Sequence, residues 1–212
     1  NQQGRKIVKK KYTLEGVEEN LFGWIDSFKL AQAGKFSVKR GEDGPSLYGT
    51  CDMIFILLIT NKLEEYLERH PKESKKAWIA EIQSYQRSGS GWFKEGLINY
   101  GMHFKEHSSA FAVAALHLLG SEPIIPFKIS EELNERKKVR KWLRNAPEWG
   151  LLYWSGSHRG GGIGAIFATL GPEKYPHPNF FEWYFKWLEE NADSEVGFWR
   201  IGWIHKLCKN RL

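Results

Sequence analysis

Three short stretches of the chain carry residue types whose spacing could do chemistry. His103-Phe-Lys-Glu-His107 fits the pattern H-x-x-E-H, in which two histidines on one helix face hold a zinc ion and the glutamate activates a water for hydrolysis. That chemistry needs a helix through all five positions and a third ligand, whereas Gly101 closely precedes the stretch and no third ligand can be picked out. The plainer reading is a loop with one histidine facing a cavity. Arg159-Gly-Gly-Gly-Ile-Gly164 has the glycines of a phosphate cradle, and Arg159 would add a bidentate donor. No Lys-Ser/Thr follows and no strand precedes, so close helix packing explains the glycines more simply. His158 and Arg159 remain candidates for meeting an anionic group. Asp52 stands just inside an apolar run, where loss of hydration would favour the protonated carboxyl and suit it to donate a proton. The competing reading is an acid that satisfies free amides at a helix start. Cys51 beside it has no recognisable base, and a buried cysteine is the ordinary case.

The elements that must position these residues read as helices. Sustained strand alternation and Asn-Gly or Asp-Gly hairpins are missing, while apolar residues recur at helical spacing. Leu14 to Leu30 predicts an amphipathic helix through Leu21, Trp24, Ile25 and Phe28; after the turn-rich Gly41 to Pro45, Thr50 to Leu67 predicts a buried one. Ser74 to Gln86 and Ser108 to Leu119 repeat that order, and Glu131 to Arg144, with Ser130 as N-cap, and Gly162 to Leu170 repeat it again. Asn179-Phe-Phe-Glu182 resembles a capping box that opens a fourth amphipathic helix. Gly34-Lys-Phe36, Gly91-Trp-Phe93 and Gly197-Phe-Trp199 form one recurring turn, in which glycine permits a tight reversal and the ring folds back over the helix pair. A repeat of roughly fifty to sixty residues lies in the range of helical arrays.

Trp78 to Gln86, the turn Gly91-Trp-Phe93 and His107 to Gly120 together resemble one unit of the α/α-toroids of terpenoid cyclases and protein prenyltransferase β subunits. The resemblance implies an all-α, partial α/α-toroid of paired outer and inner helices, with the inner N-termini opening on a central aromatic cavity. It implies mouths at Tyr48, Thr50, Cys51 and Asp52, at His107 and Ser108, and at His158 and Arg159. A full ring normally takes five or more pairs; this chain supplies three and the outer half of a fourth, and begins at Asn1, so the reading is of a fragment or an incomplete ring. The family's Asp-rich D-x-D-D acid is missing, since Asp26, Asp43, Asp52 and Asp193 are scattered. Cys51-Asp52 is in the wrong order and spacing for the zinc ligands of the prenyltransferases, so neither activity carries over.

Composition narrows the partners. Ten tryptophans and an aromatic fraction of 15% point to wide gaps between helices or to a lined cavity. The net charge of +6 is concentrated in Arg5 to Lys11 and in Arg136 to Arg144, and no groove-reading motif accompanies it, so nucleic acid is not expected. The longest apolar run, Met53 to Ile59, falls far short of the ~20 residues that span a bilayer. Two unpaired cysteines suit a reducing, cytoplasmic setting. We therefore read residues 1–12 as a basic tail and 13–212 as one helical-repeat domain. Asp52 and His107 are its candidate acid and base, and Tyr48, Thr50, Trp92, Trp154, His158 and Arg159 are candidate contacts to a prenyl or carbohydrate ligand. No metal or cofactor is assigned. The alternative functions are an inert repeat domain that binds a partner protein and a zinc hydrolase through His103, Glu106 and His107.

Overall fold

A helix that is apolar on nearly every side must be covered on nearly every side, and that requirement organises the chain around Leu47–Ile59. The computed structural model describes residues 15–95, 105–144, 155–195, 197 and 199. Among these residues the protein is all-α: α1 (Glu15–Asp26), α2 (Leu47–Ile59), α3 (Leu63–Arg69), α4 (Lys75–Ser84), α5 (Lys105–Leu118), α6 (Ile129–Glu132), α7 (Arg136–Arg144), α8 (Ser155–Leu170) and α9 (Phe180–Asn191). The small-residue helices α2, α5 and α8 are neighbours, with α5 packed on both of the others and most extensively on α8. Helix α4 covers α2 and α5, and α7 packs on α9. The buried apolar side chains, among them Ile54, Leu57, Trp78, Ile82, Leu116, Ile166 and Trp187, form one continuous cluster. No described helix is long and apolar enough to cross a membrane.

Several boundaries differ from the sequence expectation, each for a local reason. The helix expected to run from Thr50 to Leu67 starts at Leu47 and breaks after Ile59, because Asn61 takes a left-handed conformation (φ 55°) and the Thr60 hydroxyl bonds back to the Ile56 carbonyl at 2.7 Å. Glu131 to Arg144 is likewise two helices, α6 and α7. Ser130 is not an N-cap but lies inside α6, its hydroxyl on the Phe127 carbonyl at 2.7 Å. Asn179 precedes α9 without any side-chain capping bond, so the expected capping box does not form. Helix α8 begins at Ser155, ahead of the expected Gly162, so the glycines 160–162 and 164 lie inside the helix and not at its start, which removes the phosphate cradle: their amides are past the free first turn. The small size of Gly162 and Gly164 serves packing, since a Cβ would sit 2.7 Å from the Glu106 carbonyl oxygen of α5 and 2.8 Å from the Tyr184 hydroxyl, respectively. The basic segment of residues 1–12 lies outside the described residues.

The recurring turn is built the same way twice. Lys29 pairs with Phe36 and, one repeat later, Gln86 pairs with Phe93, each as a single antiparallel bridge across a left-handed glycine, Gly34 (φ 82°) and Gly91 (φ 76°). Both phenylalanines are fully buried, and each donates its backbone N–H to a hydroxyl of the following inner helix: Phe36 to Thr50 Oγ1 at 3.4 Å, Phe93 to Ser109 Oγ at 2.9 Å. Each turn is also tied to the following unit. The Gly34 N–H and the Trp78 indole both donate to Glu73 Oε2, at 2.9 and 2.6 Å; the Gln86 amide donates to the Gly91 and Ile125 carbonyls, at 2.9 and 2.7 Å, and accepts from the Ile125 N–H.

A methyl group at Gly91 would meet the Pro126 carbonyl oxygen at 2.5 Å and strain a left-handed backbone. We expect Gly91→Ala to destabilise the fold by about 2–4 kcal/mol. Gly23, in the middle of α1 with nothing within 4 Å of an added Cβ, should respond oppositely, Gly23→Ala gaining about 0.5–1 kcal/mol. Chemical denaturation of the two variants checks both signs.

Candidate functional site

The first turn of α2 is fixed from three directions. Ser46 is its N-cap and accepts from the Gly49 N–H at 3.2 Å. Glu95, from the turn of the next unit, places Oε1 against the Ser46 hydroxyl (2.7 Å) and the N–H groups of Leu47 and Tyr48. A carboxylate there satisfies free amides and complements the positive end of the helix. Gly49 lies against the backbone of Phe36 and Ser37, so α2 approaches the turn as closely as a helix without a side chain can. These contacts point Tyr48 toward α5.

Across the α2–α5 seam Tyr48 Oη lies 3.0 Å from His107 Nδ1, and the two rings are 5.6 Å apart. Phe111, one turn along α5, packs on both rings, at 5.3 Å from Tyr48 and 4.8 Å from His107, and Phe55 meets Phe111 edge-on at 5.7 Å. Asp52 is one turn from Tyr48 on the same stripe of α2. All five side chains are half-buried, and the stripe continues to Ile59 and Leu118, which are 84% and 51% exposed. The result is a surface of aromatic and aliphatic groups with one carboxyl and one imidazole set into it.

Burial controls the protonation of this surface. It pushes the Asp52 carboxyl above its ordinary range, since no described residue donates a hydrogen bond to the charged form. It also pushes the Tyr48 phenol up; a hydrogen bond to Ser108 opposes this, and the negative charge of Glu95 and Asp52 adds to it. Tyr48 is therefore a neutral phenol, which donates to His107 Nδ1 in one imidazole tautomer and accepts from it in the other. Asp52 does not serve the helix start. Because α2 begins at Leu47, Asp52 sits a full turn too deep, and Glu95 does that work instead. Nothing in the local sequence marked Glu95, because its partners are far along the chain.

The other sequence candidates divide. Thr50 is fully buried, and its hydroxyl joins the Gly34 and Phe36 backbone rather than facing solvent. Cys51 is buried, its thiol pushed up by burial and by the neighbouring Asp52 and Glu95 charges, which leaves it unreactive. Ser108 donates to the Phe93 carbonyl at 2.8 Å. Trp92, 6% exposed, packs on Phe127 on another side of α5 and not with Tyr48. Arg159 faces α5 and α7: Nε is 3.5 Å from Glu106 Oε1, and the guanidinium lies over the Trp142 ring. Glu106 is fully buried in that pair while His107 turns to Tyr48, so the two described members of the H-x-x-E-H stretch diverge. His103, Trp154 and the His158 side chain lie outside the described residues. Among the described residues no three His, Cys, Asp or Glu side chains are grouped to hold a metal ion.

A raised Asp52 pKa means that the folded protein holds this proton more tightly than the unfolded chain. The associated stability is present below the ordinary carboxyl value of 3.8 and is lost as pH rises through the folded value. Asp52→Asn removes the cost of the buried charge. The variant should be more stable than the parent at pH 7, with the difference fading as pH falls toward 4, as read from thermal unfolding across pH.

Compared with protein-family models, curated proteins and solved structures, the chain matches none.

Proposed function

We propose that the chain is a toroid-like arc of paired helices, as the resemblance to terpenoid cyclases and prenyltransferase β subunits implies, and that the α2–α5 face binds a prenyl chain. The observation that carries this reading is the aromatic surface with a carboxyl of raised pKa set into it: Tyr48, Phe55 and Phe111 around Asp52, with His107 hydrogen-bonded to Tyr48. A carbohydrate fits less well. Sugars ask for several hydrogen-bonding groups around a ring, and this face offers mainly edges and faces of hydrocarbon continuing to Ile59 and Leu118.

The chemistry available to such a complex follows from the same groups. Asp52 donates its proton to one carbon of a double bond; the electron pair of that bond forms the new C–H bond and leaves a cation on the other carbon. Phenyl and phenol faces stabilise a cation by roughly 0.5–2 kcal/mol each, more as water is excluded. Loss of a neighbouring proton to His107 restores a double bond, and proton exchange with water returns both side chains to their starting states. The net change is isomerisation or ring closure of the hydrocarbon, with no redox step.

Binding and chemistry separate in the variants. Phe111→Ala should weaken binding of a fluorescent farnesyl alcohol about tenfold or more, roughly 1.4 kcal/mol, with the far-UV spectrum intact. Asp52→Asn should bind equally well but lose any proton exchange into the ligand from deuterated water. Unchanged affinity in both Phe111→Ala and Phe55→Ala, or displacement of the alcohol by a disaccharide, refutes the prenyl assignment. The alternative, a face that docks a partner protein, is favoured by the exposure of Ile59 and Leu118. It would be supported if Ile59→Glu abolished capture of a partner while the alcohol failed to bind.

A further inference from the structure

On the flank of α5 turned away from His107, four cations from four separate segments converge. Arg87 comes from the end of the α4 turn, Lys94 from beyond the Gly91 bridge, Lys105 from the first residue of α5 and Lys128 from the residue before α6. They line a cleft of about 540 Å³ whose walls include Trp92 and Trp142 and whose single carboxylate among the described residues is Glu132. The backbone explains the convergence: the Lys128 N–H bonds to the Ser90 carbonyl at 3.1 Å, and the Arg87 N–H to the Trp92 carbonyl at 2.9 Å, which brings the start of α6 onto the Gly91 turn. The Lys105 ammonium lies 4.9 Å over the Trp92 ring.

A basic surface patch is ordinarily scattered and solvated, each cation free to turn toward water. This one differs in two respects. Lys94 and Lys105 are half-buried, and among the described residues neither they nor Lys128 has a carboxylate within 4 Å, although eight of the twelve other described lysines do. Like charges held together in a partly dry cleft repel, and that arrangement costs stability unless an anion offsets it. The cleft is within the roughly 300–1,000 Å³ of small-molecule sites, so its capacity exceeds one inorganic phosphate. We propose that it binds a compact polyanion, a small molecule carrying two or more phosphoryl groups, with Lys94, Lys105 and Lys128 as its principal donors and Arg87 closing the rim. The Trp142 indole N–H, buried without an acceptor among the described residues, borders the same cleft. This site is independent of the prenyl face, because Lys105 and His107 leave α5 in different directions, toward Trp92 and toward Tyr48.

Titration calorimetry with pyrophosphate and with inositol hexakisphosphate, at about 0.15 M salt where exposed charges are screened beyond ~8 Å, tests the proposal on the whole chain. One ligand per protein should bind, and the double variant Lys94→Glu/Lys128→Glu should weaken binding about tenfold or more. Lys94→Gln/Lys128→Gln should weaken it less and serves if the charge reversal perturbs folding. Lys39→Glu, at an exposed lysine paired with Glu42 on a different turn, should leave affinity within about twofold. No heat with either ligand up to about 1 mM overturns the site, as does a Lys39→Glu effect equal to that of the double variant, which would mean general charge attraction. A ten-nucleotide RNA binding more tightly than inositol hexakisphosphate would overturn the small-molecule assignment in favour of an extended polyanion.

Discussion

The structure depends on a hydrogen bond between a turn and the helix that follows it. A chain leaving an outer helix must reverse and enter an inner one, and at the reversal the backbone N–H of a buried phenylalanine has no helical or sheet partner. Thr50 Oγ1 and Ser109 Oγ supply that partner for Phe36 and Phe93. Leaving either donor unpaired in the core would cost about 1–3 kcal/mol, so the hydroxyl is tied to its position. The left-handed glycine two residues earlier lets the turn lie against the backbone of the next unit, at Ala77 and at Pro126. Each turn thereby joins its own inner helix to the following outer segment, and the array propagates.

That arrangement fixes the starts of α2 and α5, and at the start of α5 the side chains diverge. Three consecutive residues leave it in three directions: Lys105 over Trp92, Glu106 into the seam with α8, His107 to Tyr48. The Glu106–Arg159 pair is the costly member. Both Glu106 oxygens are buried without a hydrogen bond among the described residues, and the ion pair at 3.5 Å is a loose one. Two desolvated charges held this way contribute little net stability, but separating them would strand a carboxylate in the core. The pair bridges α5 and α8 at the register where Gly162 faces the Glu106 backbone and the Tyr184 ring lies against Gly164.

Much of this was legible in the sequence, and the illegible part has a common physical origin. Periodicity and glycine placement gave the helices and the repeated turn, because 3.6-residue spacing and left-handed backbone are local properties. Tyr48, Asp52 and His107 were recognisable as candidates because an acid in an apolar run and a histidine at an inner-helix start stand out locally. Thr50 was misjudged as a ligand contact, since its hydroxyl answers a donor on a turn fourteen residues earlier. Glu95 as the cap of α2 and the cleft of Lys94, Lys105 and Lys128 depend on which segments the fold brings together. Local sequence carries no record of that.

The two surfaces of α5 also show how one scaffold holds opposite electrostatic conditions a few residues apart. On the His107 side, burial between α2 and α5 raises the Asp52 carboxyl, so the surroundings disfavour its charged form. On the Lys105 side, the backbone bonds that dock α6 onto the Gly91 turn gather Lys94, Lys105 and Lys128, none of which has a carboxylate within 4 Å among the described residues. Both conditions are unfavourable for the isolated fold, and both are imposed by the same rigid turn geometry. Structures retain such local costs where a ligand relieves them, because strain or unpaired charge away from a site is readily removed by substitution. A carboxyl whose pKa burial raises and lysines without a carboxylate partner among the described residues are therefore better places to look for a ligand of this molecule than any single motif in its sequence.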